Sequence, residues 1–529
     1  MSNLFIFLYA FWLFRTLKYV LFWVYLWQLK EYHIGRFLDH FNTEKGKKLV
    51  LNPLLDFKII FLLFFVSTND IFVLVLALVY FAESAIFLRQ LYSKSLKKPV
   101  KTAKSLLLTG VSFLAVLLFL AWSLNKNPAW ILAFDILTPV IISLIVLLFQ
   151  PFFVLMRNGI MKRASEKIKQ FPNLKVIAIT GSYGKTSTKE FLTTILSKKY
   201  KILSTSKHQN AEIGIAKCIL DDLTEKHQIF IAEVGAYDKG KVKEVCSMLK
   251  PKIGIVTGVN EQHLALFGSM DNLLSGEGGR ELAEFLEKDG LLIVSGDNKY
   301  CLDLIKKFNG KEKIYSESNK VIDADIWAES ASVHRNYVSF IAKNKKGELA
   351  DFRANVLGKQ NVQNLLGAIL VARELGMNFG EISDALTQIK QEQAGMILRQ
   401  GNHGIDVIDS SYSANPDGVF ADLEYLSIFT QKKVIVMPCL IELGGKSRYI
   451  HEKIGKKIGK TCGMAIITAK DYFEQLKKGA MESGMKGSSI IFCEKPEEIY
   501  SLITLFCKSG DAVLLEGRVP GKLIQLLID

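Results

Sequence analysis

The chain has 529 residues, of which 49% are hydrophobic and 22% charged, and its formal net charge is +15. This composition is too apolar for a long disordered protein, and seven cysteines without a Cys-x-x-Cys pair exclude a small disulfide-stabilised scaffold. All seven cysteines lie after residue 200, which predicts reduced thiols in a cytosolic part of the chain. No basic run with interleaved aromatic residues occurs in that part, so nucleic-acid binding is not expected.

Long apolar segments dominate residues 1–156. Four of them approach or exceed the length of about 20 residues that crosses a bilayer: Leu4–Trp27, Ile71–Leu88, Leu106–Trp122 and Trp130–Met156. The first contains Arg15 and Lys18, and its alternative interpretation is an amphipathic helix at the membrane surface. A fifth crossing is expected at Phe57–Val66, extended back to Leu51 and followed by a turn at 67–70.

The basic residues orient these segments, because loops rich in Lys and Arg stay in the cytoplasm. They cluster at Lys30–Lys48, at Arg89–Lys104 and from Arg157 onward. We therefore expect a multi-pass protein of the cell membrane, with about five helices in residues 1–156 and cytoplasmic catalytic domains. Glu83 and Asp135 lie at membrane depth, where a charge marks a functional site or is satisfied inside a helix bundle. The sequence favours the second interpretation.

A phosphate-binding loop is predicted next. The β-branched run Val176–Thr180 is typical of a buried parallel strand, and Thr188–Leu196 has a helical pattern. Between them stands T-G-S-Y-G-K-T-S, in which glycines let backbone N–H groups close around phosphate oxygens at a helix N-terminus. We expect Lys185 to reach the β- and γ-phosphates and the Thr186 hydroxyl to bind Mg²⁺.

Two further strands place polar residues near this loop. Gln228–Val234 carries Glu233 close to its carboxyl end, the edge at which phosphate loops also open. Ile253–Val259 leads to His263, which alone would more often be structural but here follows a strand beside the loop.

Together these motifs resemble the Mur ligase family, and most closely its D-alanyl-D-alanine-adding members. The resemblance covers about residues 170–529 and rests on T-G-S-Y-G-K-T-S, Asn210–Gly214, Glu233-Val234-Gly235, His263 with Phe267-Gly268-Ser269, Gly358–Asn364, Asp409–Pro416 and Ile441–Gly444 with His451. It implies a central ATP-binding α/β domain at 157–394 and a Rossmann-like C-terminal α/β domain at 395–529, which would follow the transmembrane α-helices expected in the membrane region at 1–156.

The family uses ATP to phosphorylate a carboxylate, and an amine then attacks the acyl phosphate to form an amide bond. The implied cofactors are ATP and Mg²⁺, and the implied substrates are a nucleotide- or lipid-linked peptidoglycan precursor and an amino acid or dipeptide. Lys185 and His263 would be catalytic, and Thr186, Glu233 and His263 would bind metal. The ATP-binding residues would be Gly181, Ser182, Gly184, Lys185, Thr186, Ser187, Asn361, Asn364 and Asp409.

The sequence departs from the family pattern at several cationic positions. Gly279 stands where the family often has a carbamylated lysine, and Met396 where it has an arginine, although Arg399 follows. Glu516 replaces a lysine and Gln360 a histidine. The phosphate loop also follows the membrane helices directly, where the family has a soluble UDP-binding domain.

These departures leave two alternatives to an amide ligase of cell-wall synthesis. One is a membrane-anchored poly-amino-acid synthetase. The other is a nucleotide-binding scaffold that has lost turnover. In the soluble part we further predict a helix at Asn272–Leu286, a β-rich stretch near Ala324–Ala354 and a linker at Gln391–Gly395. Cys439 is interpreted as a packing residue.

Overall fold

The structure is a computed structural model that describes residues 3–64, 70–124, 126–206, 209–318, 323–412 and 414–528. It divides into two compact units, Met1–Asn158 and Gly159–Asp529. All seven cysteines are free and buried, as expected for reduced thiols.

The regular elements among the described residues of the first unit are all helices. Its helices are α1 (Asn3–Leu29), α2 (Ile34–His40), α3 (Glu44–Val50), α4 (Pro53–Phe64), α5 (Asp70–Tyr92), α6 (Ala103–Ser123) and α7 (Ala129–Lys169). Four of them, α1, α5, α6 and α7, are long and apolar enough to cross a membrane. The predicted fifth crossing corresponds to α4, but residues 65–66 at its end and residues 67–69 of the turn lie outside the described residues, so the count of five remains a prediction.

Charged side chains from four helices meet inside this unit. Lys58 of α4 lies 2.5 Å from Glu83 of α5 and 2.8 Å from Asp135 of α7. Arg15 of α1 pairs with the same two carboxylates. The four residues, called the charge cluster below, are mostly buried. Glu83 and Asp135 are thus satisfied charges inside a helix bundle, as the sequence favoured.

The second unit begins with a nine-stranded sheet in the order β2-β3-β1-β4-β5-β6-β7-β8-β9. Its first seven strands pair in parallel, and β7–β9 form an antiparallel extension. The strands are β1 (Lys175–Thr180), β2 (Ile202–Ser204), β3 (Ile229–Glu233), β4 (Ile253–Val256), β5 (Leu291–Ser295), β6 (Lys311–Ser316), β7 (Ile326–Val333), β8 (Val338–Asn344) and β9 (Leu349–Ala354). The predicted strands and the β-rich stretch are confirmed.

Helices cover this sheet, as its buried β-branched strands require. They are α8 (Lys185–Leu196), α9 (Glu212–Asp222), α10 (Lys241–Leu249), α11 (Leu264–Phe267), α12 (Met270–Ser275), α13 (Arg280–Glu284), α14 (Lys299–Ile305), α15 (Gln360–Glu374), α16 (Phe379–Leu386) and α17 (Gln391–Ala394).

A six-stranded sheet follows, in the order β10-β11-β15-β12-β13-β14. All its neighbours are parallel except β10, an antiparallel edge strand that the sequence analysis missed. The elements are β10 (Ile397–Gln400), β11 (Asp406–Ser410), α18 (Pro416–Ser427), β12 (Lys433–Met437), α19 (Ser447–Thr461), β13 (Met464–Ile467), α20 (Phe473–Glu482), β14 (Ile490–Phe492), α21 (Pro496–Phe506), β15 (Ala512–Glu516) and α22 (Gly521–Ile528).

Two local predictions are wrong. The expected single helix at Asn272–Leu286 is broken into α12 and α13 by the segment Gly276-Glu277-Gly278-Gly279. Gly279 has φ +83°, and a Cβ on Gly278 would lie 2.4 Å from the carbonyl oxygen of Leu274, so no ordinary residue fits either position. The expected linker at Gln391–Gly395 does join the two sheets, but it is not irregular: Gln391–Ala394 form the short helix α17, and Gly395 follows in a left-handed conformation.

Candidate nucleotide and cation site

The phosphate loop has the geometry that the sequence predicted. β1 ends at Thr180, residues 181–184 turn, and α8 begins at Lys185. A Cβ on Gly181 would lie 2.2 Å from the Thr257 hydroxyl oxygen, and a Cβ on Gly184 would lie 2.5 Å from the amide oxygen of Asn364. The loop therefore packs too closely against its neighbours for side chains at either position. The Lys185 ammonium donates to the carbonyl oxygen of Gly181 and so lies over the loop.

The predicted metal ligands lie together at the start of α8. The Thr186 hydroxyl donates to Oε1 of Glu233 at 3.0 Å, and the Asn210 amide donates to the same oxygen at 3.1 Å. Oε2 of Glu233 lies 3.5 Å from the ammonium of Lys189, which is wholly buried and donates to the carbonyl oxygen of Thr205. A hydroxyl and a carboxylate at a helix N-terminus are oxygen ligands that suit Mg²⁺.

His263 lies on the other side of the loop, beside a carboxylate that the sequence analysis did not identify. Its Nδ1 lies 2.8 Å from Oε1 of Glu277, and Oε2 of Glu277 accepts from the Ser182 hydroxyl at 2.7 Å. Burial opposes ionisation of Glu277, but the charge and hydrogen bond of His263, the charge of Lys185 and the Ser182 hydroxyl together lower its pKa. The only sequence signal was a lone acid among glycines, which the predicted helix concealed.

The two asparagines of α15 have different environments. Asn364 borders the phosphate loop, where its Oδ1 lies 3.5 Å from the Thr188 hydroxyl. Asn361 is buried behind it, donating to the carbonyl oxygen of Leu357 and accepting from Asn364. Asn364 is thus placed to contact a nucleotide, and Asn361 to hold Asn364. The Ser187 hydroxyl donates to the carbonyl oxygen of Ala394, 3.4 Å away, and links α8 to α17.

The loop after β4 also contacts the C-terminal sheet domain. The Asn260 amide donates to Asp417 at 2.8 Å, and Lys446 pairs with Glu261 at 2.7 Å. His451 supports this region because its Nε2 accepts from the backbone N–H of Leu440 and its Nδ1 donates to the carbonyl oxygen of Ser447. Burial lowers the pKa of His451, which favours this neutral form. The histidine is therefore structural.

Comparison with known proteins identifies the family. The profile of the Mur ligase middle domain matches residues 179–372, and that of the Mur ligase glutamate ligase domain matches residues 396–519, together more than half of the chain. The chain belongs to the Mur ligase family. The UDP-N-acetylmuramoyl-tripeptide–D-alanyl-D-alanine ligase of Escherichia coli is 27% identical over 289 residues, which are 55% of this chain and 63% of that relative. The chain thus matches less than two thirds of the relative's length.

Solved structures agree with the fold of a Mur ligase. A crystal structure of MurF from Acinetobacter baumannii superposes with a TM-score of 0.62 at 22% identity, covering 70% of this chain and 79% of that one. MurF from Thermotoga maritima, solved in complex with ADP, gives a TM-score of 0.61 at 21% identity, covering 70% and 83%.

Two departures from the Mur ligase pattern meet in one buried cluster. Gln360 donates to Oδ1 of Asp422 at 3.1 Å, the Ser410 hydroxyl donates to Oδ2 at 2.5 Å, and Glu516 is hydrogen-bonded to the same carboxyl group. Burial first, and then the charge of Asp422, raise the pKa of Glu516 well above its ordinary value. At the position where the family pattern has a lysine, this chain therefore carries Glu516, a carboxyl group whose buried surroundings oppose its ionisation.

Three further positions from the sequence analysis, Asp409, Arg280 and Cys439, have defined surroundings in the structure. Oδ1 of Asp409 accepts from the backbone N–H and the hydroxyl of Ser411 at 3.1 and 2.5 Å, so its orientation is fixed. Arg280, the basic residue next to Gly279, pairs at the surface with Asp271 and not with the site. Cys439 is buried with a pKa raised by burial to about 12, consistent with a packing residue.

Proposed function

We propose that the protein is a membrane-anchored, Mg²⁺- and ATP-dependent amide ligase of cell-wall precursor synthesis. It would act through an acyl phosphate and add D-Ala-D-Ala or a similar amino compound to a peptidoglycan precursor. The proposal rests on one contact: at the start of α8, directly after the phosphate loop, the Thr186 hydroxyl lies 3.0 Å from the Glu233 carboxylate. The names of the curated relatives supply the choice of peptide and dipeptide.

The residues of the site divide the chemistry between them. Lys185 and the loop N–H groups would hold the terminal phosphates while negative charge builds on them. Thr186 and Glu233 would hold a first Mg²⁺, which supplies charge neutralisation when bound, and His263 would belong to a second cation site. Gly181, Ser182, Gly184, Ser187, Asn364 and Asp409 would complete the ATP site, and Asn361 would hold Asn364 in place from behind.

We further propose a role for the apolar helices of the first unit. Residues 1–156 would anchor the protein in a bilayer, and the domains at 157–394 and 395–529 would lie in the cytoplasm. Four helices of sufficient length and apolarity support the anchoring. The anchor would also bring the ligase to a lipid-linked precursor.

One experiment separates the three candidate functions. The full chain in detergent is incubated with ATP, Mg²⁺ and UDP-linked tripeptide, with either D-Ala-D-Ala or glutamate as the amine, and products are analysed by mass. A new amide with D-Ala-D-Ala supports the proposal, and an amide formed only with glutamate supports the synthetase alternative. Nucleotide binding without phosphate release, with UDP- and lipid-linked precursors alike, would identify a scaffold.

A further inference from the structure

Glu277 is a buried carboxylate placed in the site by a break in a helix. The segment Gly276-Glu277-Gly278-Gly279 interrupts what would otherwise be one helix, and two of its glycines, Gly278 and Gly279, occupy positions that side chains cannot. The Glu277 side chain is 1% exposed. A buried carboxylate needs partners that balance its charge, and both of its oxygens have one.

The partners of Glu277 belong to the site described above. Oε1 lies 2.8 Å from Nδ1 of His263, and Oε2 is held at 2.7 Å by the hydroxyl of Ser182 in the phosphate loop. A carboxylate oxygen and an imidazole nitrogen that bind one Mg²⁺ or Mn²⁺ at right angles, each at about 2.1 Å, lie about 3 Å apart. The observed separation of the two atoms is close to this value.

The sequence explains why such a carboxylate matters in this chain. Gly279 stands where the family pattern has a carbamylated lysine, whose modification supplies a carboxylate. The neighbouring Arg280 is engaged at the surface by Asp271, 2.6 Å away. Among the described residues, Glu277 is the carboxylate that contacts His263.

We propose that Glu277 and His263 together bind the second cation of the site, and that Glu277 replaces the carbamylated lysine. Ser182 holds the other oxygen of Glu277, so the phosphate loop fixes the direction of the ligand. Because the carboxylate is encoded in the sequence, the site needs no bicarbonate-derived modification. This inference rests on the proposed function, since it assumes that the phosphate loop binds ATP.

The test counts cations directly. The full chain in detergent is saturated with a non-hydrolysable ATP analogue, and bound Mn²⁺ is measured by electron paramagnetic resonance. We expect two Mn²⁺ per bound nucleotide in the wild type and one in Glu277→Gln, with nucleotide affinity changed less than about threefold. Asp271→Asn, the same acid-to-amide change at an exposed position of the neighbouring helix α12, should still bind two Mn²⁺. Removal of bicarbonate should leave the wild-type count at two.

Each other result has a defined meaning. Two Mn²⁺ in Glu277→Gln, or a wild-type count that falls without bicarbonate, would overturn the inference while leaving the proposed function intact. No nucleotide binding by the wild type would overturn the proposed function itself, and the inference with it. If Glu277→Gln does not fold, Glu277→Asp, which is shorter by one methylene, carries the test. In that variant the second Mn²⁺ should bind at least about tenfold more weakly, and unchanged affinity would contradict the inference.

Discussion

The two compact units of the protein place charge and apolar surface in opposite ways. In the first unit, large apolar side chains such as Phe7, Leu118 and Leu148 are exposed, and the charge cluster is inside. In the second, the β-branched strands are buried and most charged residues face outward. Among the buried charges of the second unit, Lys189, Glu233 and Glu277 lie at the nucleotide site.

Removing a charge from water is unfavourable, and the two units compensate for it in different ways. The charge cluster is internally neutral, because two cations face two carboxylates. At the nucleotide site the charges also serve a polar ligand. Loss of one partner should therefore affect folding in the first unit and ligand binding in the second.

The largest expected effect is on the charge cluster. Asp135→Asn removes one of the two carboxylates facing Lys58 and Arg15, and an incompletely paired buried cation should destabilise the unit by about 3–5 kcal/mol. The measurement is the thermal unfolding midpoint of the chain in detergent. Asp56→Asn, an exposed position on α4, is the matched control. Equal midpoints for the two variants would contradict the importance of the cluster.

Lys185→Ala should have the opposite effect to Asp135→Asn: it should leave folding unchanged and abolish turnover. Loss of the phosphate-binding ammonium should lower ATP-dependent phosphate release by about 10²–10³-fold. The exposed Lys198, just beyond the end of α8, provides the control Lys198→Ala, which should retain full activity. Full activity in Lys185→Ala would remove the assignment of the phosphate loop.

Glu233→Gln should raise the Mg²⁺ concentration needed for half-maximal activity, by about tenfold or more. The reason is that Glu233 is the carboxylate in contact with Thr186. Glu190→Gln is the matched control. Glu190 also pairs with Lys189, at 3.2 Å, but its side chain is partly exposed. An unchanged Mg²⁺ titration in Glu233→Gln, or an equal shift in both variants, would contradict the role given to Glu233.

The smallest effect concerns the carboxyl pair. Since the folded-state pKa of Glu516 is raised, the native state loses stability as pH rises above the unfolded value of about 4.3. Glu516→Gln mimics the protonated form and should remove this loss. We therefore expect the midpoint of Glu516→Gln to lie above that of the wild type at pH 8 and to equal it at pH 4. A midpoint for Glu516→Gln at pH 8 that is equal to or below that of the wild type would contradict this prediction.

The sequence predicted those parts of the site that rest on local patterns. The strand, glycine loop and helix from Lys175 to Leu196 follow from periodicity and backbone freedom, and Glu233 follows from its place at a strand end. Glu277 could not be found this way, because its importance depends on a helix break and on contacts with residues 14 and 95 positions away. The Gln360–Asp422 contact likewise joins two domains that no local pattern relates.

The short helix α17, which precedes the C-terminal sheet domain, is attached to α8 by hydrogen bonds. Gln393 donates to the hydroxyl of Thr194 at 2.8 Å, and Ser187 binds the last residue of α17, so the connector is fastened along the phosphate helix. Gly395 follows with a left-handed backbone, a conformation that glycine adopts readily and that lets the chain change direction there. A change of direction at Gly395 would therefore turn the 134 residues that follow about a point held beside α8, the helix whose N-terminus carries the phosphate loop.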